Sequence, residues 1–156
     1  MKLDLTKQFD LLIFEAEKEL TEEGNVCEIE YKTNKITKEV LGKAYEYNAK
    51  TLDKILEGGA NIYALWVKKA GTNKWLLMYI GQRKLQFIRS RLVQHLFQKN
   101  EQTGSQLEKI KKEVKEKNKI GVTVIKVLPD ELRQSVEERL IGISKTKNNC
   151  FWNIHG

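Results

Sequence analysis

Two tracts rich in β-branched and aromatic residues, 60–68 and 75–80, flank the turn material Gly71-Thr72-Asn73, and this pairing limits the possible folds more than any other feature of the chain. Such residues suit a pleated, half-buried surface, and a short glycine-containing loop joins antiparallel neighbours. A β-hairpin is expected. Facing residues in a hairpin have numbers of constant sum, and Tyr63 with Tyr79 centres on Gly71, so a turn there places both tyrosines side by side on one face. A register shifted by one would send them to opposite faces. Taken alone, two strand tyrosines are more often packing residues.

Around the hairpin the apolar spacing changes to that of helices. Residues 4–22 and 37–57 read as amphipathic helices, and between them Cys27-Glu28-Ile29-Glu30-Tyr31 alternates as a short strand or an extended connector. Gly58-Gly59 ends the second helix and marks a boundary, giving a helical extension over 1–58 and a core over 59–156. Beyond the hairpin, 84–98 is helical, and Ser105-Gln106-Leu107-Glu108 reads as a capping box that opens a basic helix to about residue 118. Residues 120–127 form a third strand, and Pro129 precedes a helix over 130–144. The order from residue 60 is β-β-α-α-β-α. We expect an α+β fold with a small antiparallel or mixed three-stranded sheet flanked by helices and carrying the N-terminal helical extension.

Charge divides at the same boundary: residues 1–58 carry a net −4 and residues 59–156 a net +11. The hairpin half is thus suited to a polyanion, although lysine runs such as Lys109-Ile110-Lys111-Lys112 can also simply solvate a helix face. No apolar run approaches the ~18 residues of a membrane span, and the start, Met1-Lys2-Leu3-Asp4, has no apolar signal core. A cytoplasmic protein is expected, with Cys27 and Cys150 as free thiols.

Arg91 and His95 lie four apart, on one face of the helix that follows the second tyrosine strand. The planar fork of Arg91 suits phosphate oxygens and the charge of a pentavalent transition state, with Arg89 a competitor for that role. His95 can donate a proton or bind phosphate. Glu137 and Glu138 precede the packed pair Leu140-Ile141, which leaves one carboxylate to face a cleft. A single carboxylate suffices for a hydrated Mg²⁺ beside a phosphate, though a glutamate pair on a helix is also ordinary solvated surface.

Taken in order, Asn61-Ile62-Tyr63, Tyr79-Ile80-Gly81, Arg91-Leu92-Val93-Gln94-His95-Leu96, Glu137-Glu138-Arg139-Leu140-Ile141 and Trp152-Asn153 resemble the GIY-YIG nuclease family over residues 60–156, most of all its type II restriction endonucleases. The departures are Asn61 in place of the leading glycine, triplets more widely separated than in many members, and two extra residues between Tyr79 and Arg91. Asn149 is an alternative to Asn153.

The resemblance implies an Mg²⁺-dependent endodeoxyribonuclease, with Mn²⁺ able to substitute, acting on double-stranded DNA as a homodimer during cleavage. It further implies that Tyr63 activates water, Arg91 and Tyr79 hold the phosphate, Glu137 binds the metal, His95 assists proton traffic and Asn153 orients the phosphate or a neighbouring side chain. A free phenol titrates near ~10, so a basic tyrosine needs cations nearby. Lys69, Lys74, Arg83, Lys84, Arg89, Lys109 and Lys112 are expected to meet DNA phosphates. The alternatives are a structure-specific, repair or mobile-element nuclease, and a non-catalytic DNA-binding module on the same fold.

Overall fold

The helices, and the strands from residue 60 onward, fall close to where the periodicities predict. The computed structural model describes residues 1–98 and 104–154. In chain order the elements are α1 (Thr6–Leu20), β1 (Cys27–Ile29), α2 (Lys38–Ile55), β2 (Ile62–Lys68), β3 (Trp75–Gln82), α3 (Ile88–Leu96), α4 (Leu107–Lys115), β4 (Lys119–Ile125) and α5 (Arg133–Thr146), with 3-10 turns at Glu23–Asn25, Leu85–Phe87 and Asp130–Leu132. From β2 onward the order is the expected β-β-α-α-β-α. No helix among the described residues is long and apolar enough to cross a membrane, and both cysteines are free thiols.

Local chemistry sets several boundaries. The Thr37 hydroxyl accepts the Val40 N–H at 3.1 Å and so starts α2. Gly58 and Gly59, at φ 82° and 91°, follow it in the left-handed region that stops a helix. The expected capping box at α4 is arranged differently. Gln106 is the N-cap residue, while Ser105 Oγ accepts the Leu107 N–H at 3.1 Å and donates to the Gln94 carbonyl at 2.9 Å, tying α4 to α3. Glu108 instead pairs with Lys111. The helix ends at Lys115, earlier than expected, because Lys117 turns left-handed at φ 65°.

The sheet has four strands where three were expected, in the order β1-β4-β2-β3 with every neighbouring pair antiparallel. β1 supplies the extra strand by pairing Cys27, Glu28 and Ile29 with Val122, Gly121 and Ile120. Three residues carry too little period to identify a strand by themselves, and the edge of β4 that fixes them lies far along the chain.

Both faces of the sheet are covered. Tyr63, Leu65 and Val67 of β2 pack with α2, α3 and α4 in one core, whereas Ile62, Ala64 and Trp66 pack with α1 and α5 in the other. The segment before residue 58 therefore contributes a strand to the sheet and a helix to each face. At the second face, Trp66 Nε1 donates to Thr123 Oγ1 at 2.9 Å, and that hydroxyl donates to the Leu20 carbonyl at 2.7 Å. One buried hydroxyl thus ties the end of α1 to two central strands.

The hairpin register departs from expectation in an informative way. Near the loop, Lys68, Val67 and Trp66 face Trp75, Leu76 and Leu77, but beyond it Leu65 faces Tyr79 and Tyr63 faces Gly81, leaving Met78 as an extra residue in β3. Tyr63 and Tyr79 are therefore not directly opposite. The net offset from the expected register is two residues, which preserves the face, so the tyrosines remain diagonal neighbours on one side of the sheet.

Thr123→Val keeps the volume of the side chain but leaves the Trp66 donor and the Leu20 acceptor unpaired, so it should lower stability by about 2–4 kcal/mol, read from the urea unfolding midpoint.

Candidate functional site

Gly81 carries the ring of Tyr63. A Cβ on Gly81 would overlap the Tyr63 hydroxyl and Cζ and would sit 2.9 Å from Cε2, so this position must lack a side chain. Held across the glycine, Tyr63 brings its hydroxyl to 2.7 Å from His95 Nε2. Tyr79 completes a triangle of rings, with centroids 6.1 Å from Tyr63 and 5.4 Å from His95. Burial differs within the triangle: Tyr63 is 1% exposed and His95 fully buried, while Tyr79 is half-buried.

The protonation state of His95 follows from its partners. Its Nδ1 accepts the backbone N–H of Gln106 at 2.9 Å, which leaves the ring proton on Nε2 and makes Nε2 the donor to the Tyr63 oxygen. Burial, with Arg91 and Arg83 adding repulsion, pushes His95 down to about 3, so it is neutral at physiological pH. Burial pushes the Tyr63 hydroxyl well above the ordinary phenol value; Tyr79 adds to the rise and Arg91 opposes it.

Arg91 and Arg89 separate cleanly. Arg91 is 8% exposed beside this cluster, where its guanidinium donates to Gln94 Oε1 at 3.1 Å and to the Gly104 carbonyl at 2.7 Å. Arg89 turns to α2, pairing with Asp53 at 3.0 Å and donating to the Tyr45 hydroxyl at 2.8 Å. Only Arg91 belongs with the tyrosines.

Glu137 lies in a cleft of about 230 Å³ at the β3 edge, shared with Tyr79, Gln106, Ile141, Trp152 and Asn153. Tyr79 therefore joins the buried cluster to this cleft. Burial, with Glu138 beside it, pushes Glu137 from 4.5 up to about 7. No hydrogen bond or ion pair reaches its carboxyl among the described residues. Those residues hold no group of three or more His, Cys, Asp and Glu side chains able to cage a metal ion.

Asn153, rather than Asn149, reaches the cleft, and its amide is committed to backbone: Oδ1 accepts the Ile80 N–H at 3.0 Å and Nδ2 donates to the Ile80 carbonyl at 2.9 Å. Asn149 lies instead in a cavity bordered by α1 and the start of β3. The N–H groups of Cys150 and Trp152 donate to the Leu77 and Met78 carbonyls at 2.9 and 3.0 Å. The C-terminal segment thereby covers the edge strand and fixes Tyr79 from outside. Asn61 is fully buried and makes the same two-point pair with Val127, at 2.8 Å in both directions.

The candidate phosphate contacts differ in availability. Lys69 is held by both oxygens of Glu113, at 3.1 and 2.8 Å, and Arg89 by Asp53, so the charge of each is already matched. Lys74, Lys84 and Lys112 are exposed, Lys109 and Arg83 half-buried. Arg83 also acts on His95.

Two contributors escaped the sequence reading. Gln106 acts through its backbone N–H, a donor every non-proline residue has, and Gln94 acts through contact with Arg91 one helical turn away. Only the i, i+3 spacing of Gln94 hinted at this. No family model, curated protein sequence or solved structure matches the chain.

Gly81→Ala should displace the Tyr63 ring, costing about 1–3 kcal/mol and shifting the His95 Nε2–H resonance in ¹⁵N-resolved NMR. Glu137 has a raised folded-state value, so the stability it contributes is fully present below about 4.5 and is lost as pH rises through about 7. Glu137→Gln, neutral throughout, should match the wild-type melting temperature at pH 4 and exceed it at pH 8 in calorimetric scans.

Proposed function

We propose that this protein is an Mg²⁺-dependent DNA endonuclease of the GIY-YIG kind, hydrolysing phosphodiester bonds, and that it acts as a sequence-specific type II restriction enzyme. The observation that carries this reading is the meeting of Tyr63, Tyr79, His95 and Arg91 on one sheet face, with Glu137 in the adjoining cleft. These groups come from β2, β3, α3 and α5, and gathering a histidine, an arginine and a phenolic hydroxyl out of water carries a desolvation cost that an apolar cluster would not, which favours a chemical role for them.

Glu137 would hold the metal. Its desolvated carboxyl lacks a counter-ion among the described residues, and one carboxylate suits Mg²⁺, which keeps most of its waters and takes further oxygens from a phosphate. When bound, the ion supplies positive charge against the developing phosphorane. Arg91 presents a second positive charge beside the phenols, and the lysines at 74, 84 and 112 supply sequence-independent phosphate attraction. One active site per chain cuts one strand, so double-strand cleavage requires a homodimer.

Incubation of the purified protein with supercoiled plasmid and Mg²⁺ tests this. Discrete fragments are expected; a smear, or cutting confined to branched oligonucleotides, favours a structure-specific nuclease, and binding without cleavage in Mg²⁺ and Mn²⁺ favours a binding module. Glu137→Ala should reduce cleavage by about 10²–10³-fold while leaving DNA affinity in Ca²⁺ essentially unchanged.

A further inference from the structure

The tip of the β2–β3 hairpin is stapled in place although almost nothing covers it. Lys69 is gripped by both oxygens of Glu113, the Ala70 N–H donates to Asn118 Oδ1 at 2.8 Å, and Asn118 Nδ2 donates to Glu113 Oε2 at 2.7 Å. Thr72 folds the turn, its N–H and its hydroxyl both donating to the Lys69 carbonyl, at 3.1 and 2.8 Å. Beyond these ties residues 70–74 are all exposed, and Gly71 takes φ 81° with open space beside it. Asn73 and Lys74 make no hydrogen bond or ion pair among the described residues. A free carboxamide on a rigid tip is pre-organised for a partner, since little is left to order on binding.

The surroundings of the tip favour a polyanion. Lys68 and Lys119 face each other directly across β2 and β4, an arrangement that like charges oppose. Lys68 lies over the Trp75 ring, 4.7 Å from its centroid, and Lys68, Lys74 and Lys117 have no acidic partner among the described residues. A two-stranded β-ribbon fits the DNA major groove, where a carboxamide pairs with both N6 and N7 of adenine. We infer that the hairpin tip enters the major groove of the DNA substrate, where Asn73 reads an adenine and Lys68 and Lys74 hold the flanking phosphates. This rests on the nuclease reading for its DNA. Lys74 precedes Tyr79 by five residues of extended chain, about 15 Å, which places the adenine within about six base pairs of the scissile phosphate.

Selection of random-sequence duplexes in Ca²⁺, which needs no cleavage, tests the inference. The wild-type protein should enrich a motif containing an adenine, and Asn73→Ala should lose about tenfold or more of the discrimination at that position. Its melting temperature should not change, because the Asn73 side chain is exposed and bonds to nothing in the fold. Replacing that adenine with 7-deazaadenine should weaken binding by the wild type and leave Asn73→Ala unaffected. Lys68→Gln combined with Lys74→Gln should weaken all duplexes alike and lower the slope of log affinity against log salt by about two. An unchanged motif in Asn73→Ala, or an unchanged slope in the lysine variant, overturns the inference and leaves the nuclease reading standing. A wild-type protein that selects no motif or binds no duplex overturns the inference as well. A protein that selects the motif in Ca²⁺ yet cuts nothing in Mg²⁺ or Mn²⁺ overturns the nuclease reading alone and supports the groove contact.

Discussion

The unpaired residue Met78 governs the site, because regular alternation in β3 would carry Tyr79 to the face of Trp75 and Leu77, away from Tyr63 and His95. One extra residue resets the alternation. Leu77 and Ile80 then both face α1 and α5, while Met78 and Tyr79 both turn toward α3 and α4. A bulge disrupts a ladder locally, and an edge strand accommodates that disruption best. Here the edge is also secured from outside, since the consecutive carbonyls of Leu77 and Met78 accept the N–H groups of Cys150 and Trp152. The C-terminal segment thus stabilises the irregularity that aims Tyr79.

Three buried asparagines perform a related task. Asn48, Asn61 and Asn153 each present a carboxamide to both the N–H and the carbonyl of one residue, Glu30, Val127 and Ile80 respectively. A carboxamide reproduces the donor and acceptor of a peptide unit, so each one satisfies backbone that no strand reaches. Their positions matter for the site: Asn61 anchors the connection into α5, and Asn153 anchors the strand beside Tyr79. The Asn61 side chain is wholly committed to this connection, bonding both Val127 and Asp130.

Electrostatically, the ionisable groups of the cluster are pushed toward their uncharged forms. His95 is kept neutral, the Tyr63 hydroxyl is kept protonated and Glu137 titrates near neutrality, each chiefly because it is withdrawn from water. Removing water also strengthens every charge interaction within the site, so a charged group entering the cleft meets a pre-arranged field that has no need to reorganise. The same desolvation gives the two tyrosines unequal standing, with one enclosed among donors and the other open to the cleft.

The sequence by itself determined the helices, the hairpin, the shared face of Arg91 and His95, and the order of elements from β2 to α5, because these depend on periodicity and local turn chemistry. It named the residues that meet in the site, but it did not distinguish Arg91 from Arg89 or Asn153 from Asn149. Those choices belong to the tertiary structure, which matched Arg89 with Asp53 on α2 and laid Asn153 along β3. The fourth strand, the bulge at Met78 and the proton on His95 Nε2 were likewise decided there. Each depends on a backbone hydrogen bond whose partners lie far apart in the chain or whose donor is common to almost every residue, and neither leaves a mark in the order of side chains.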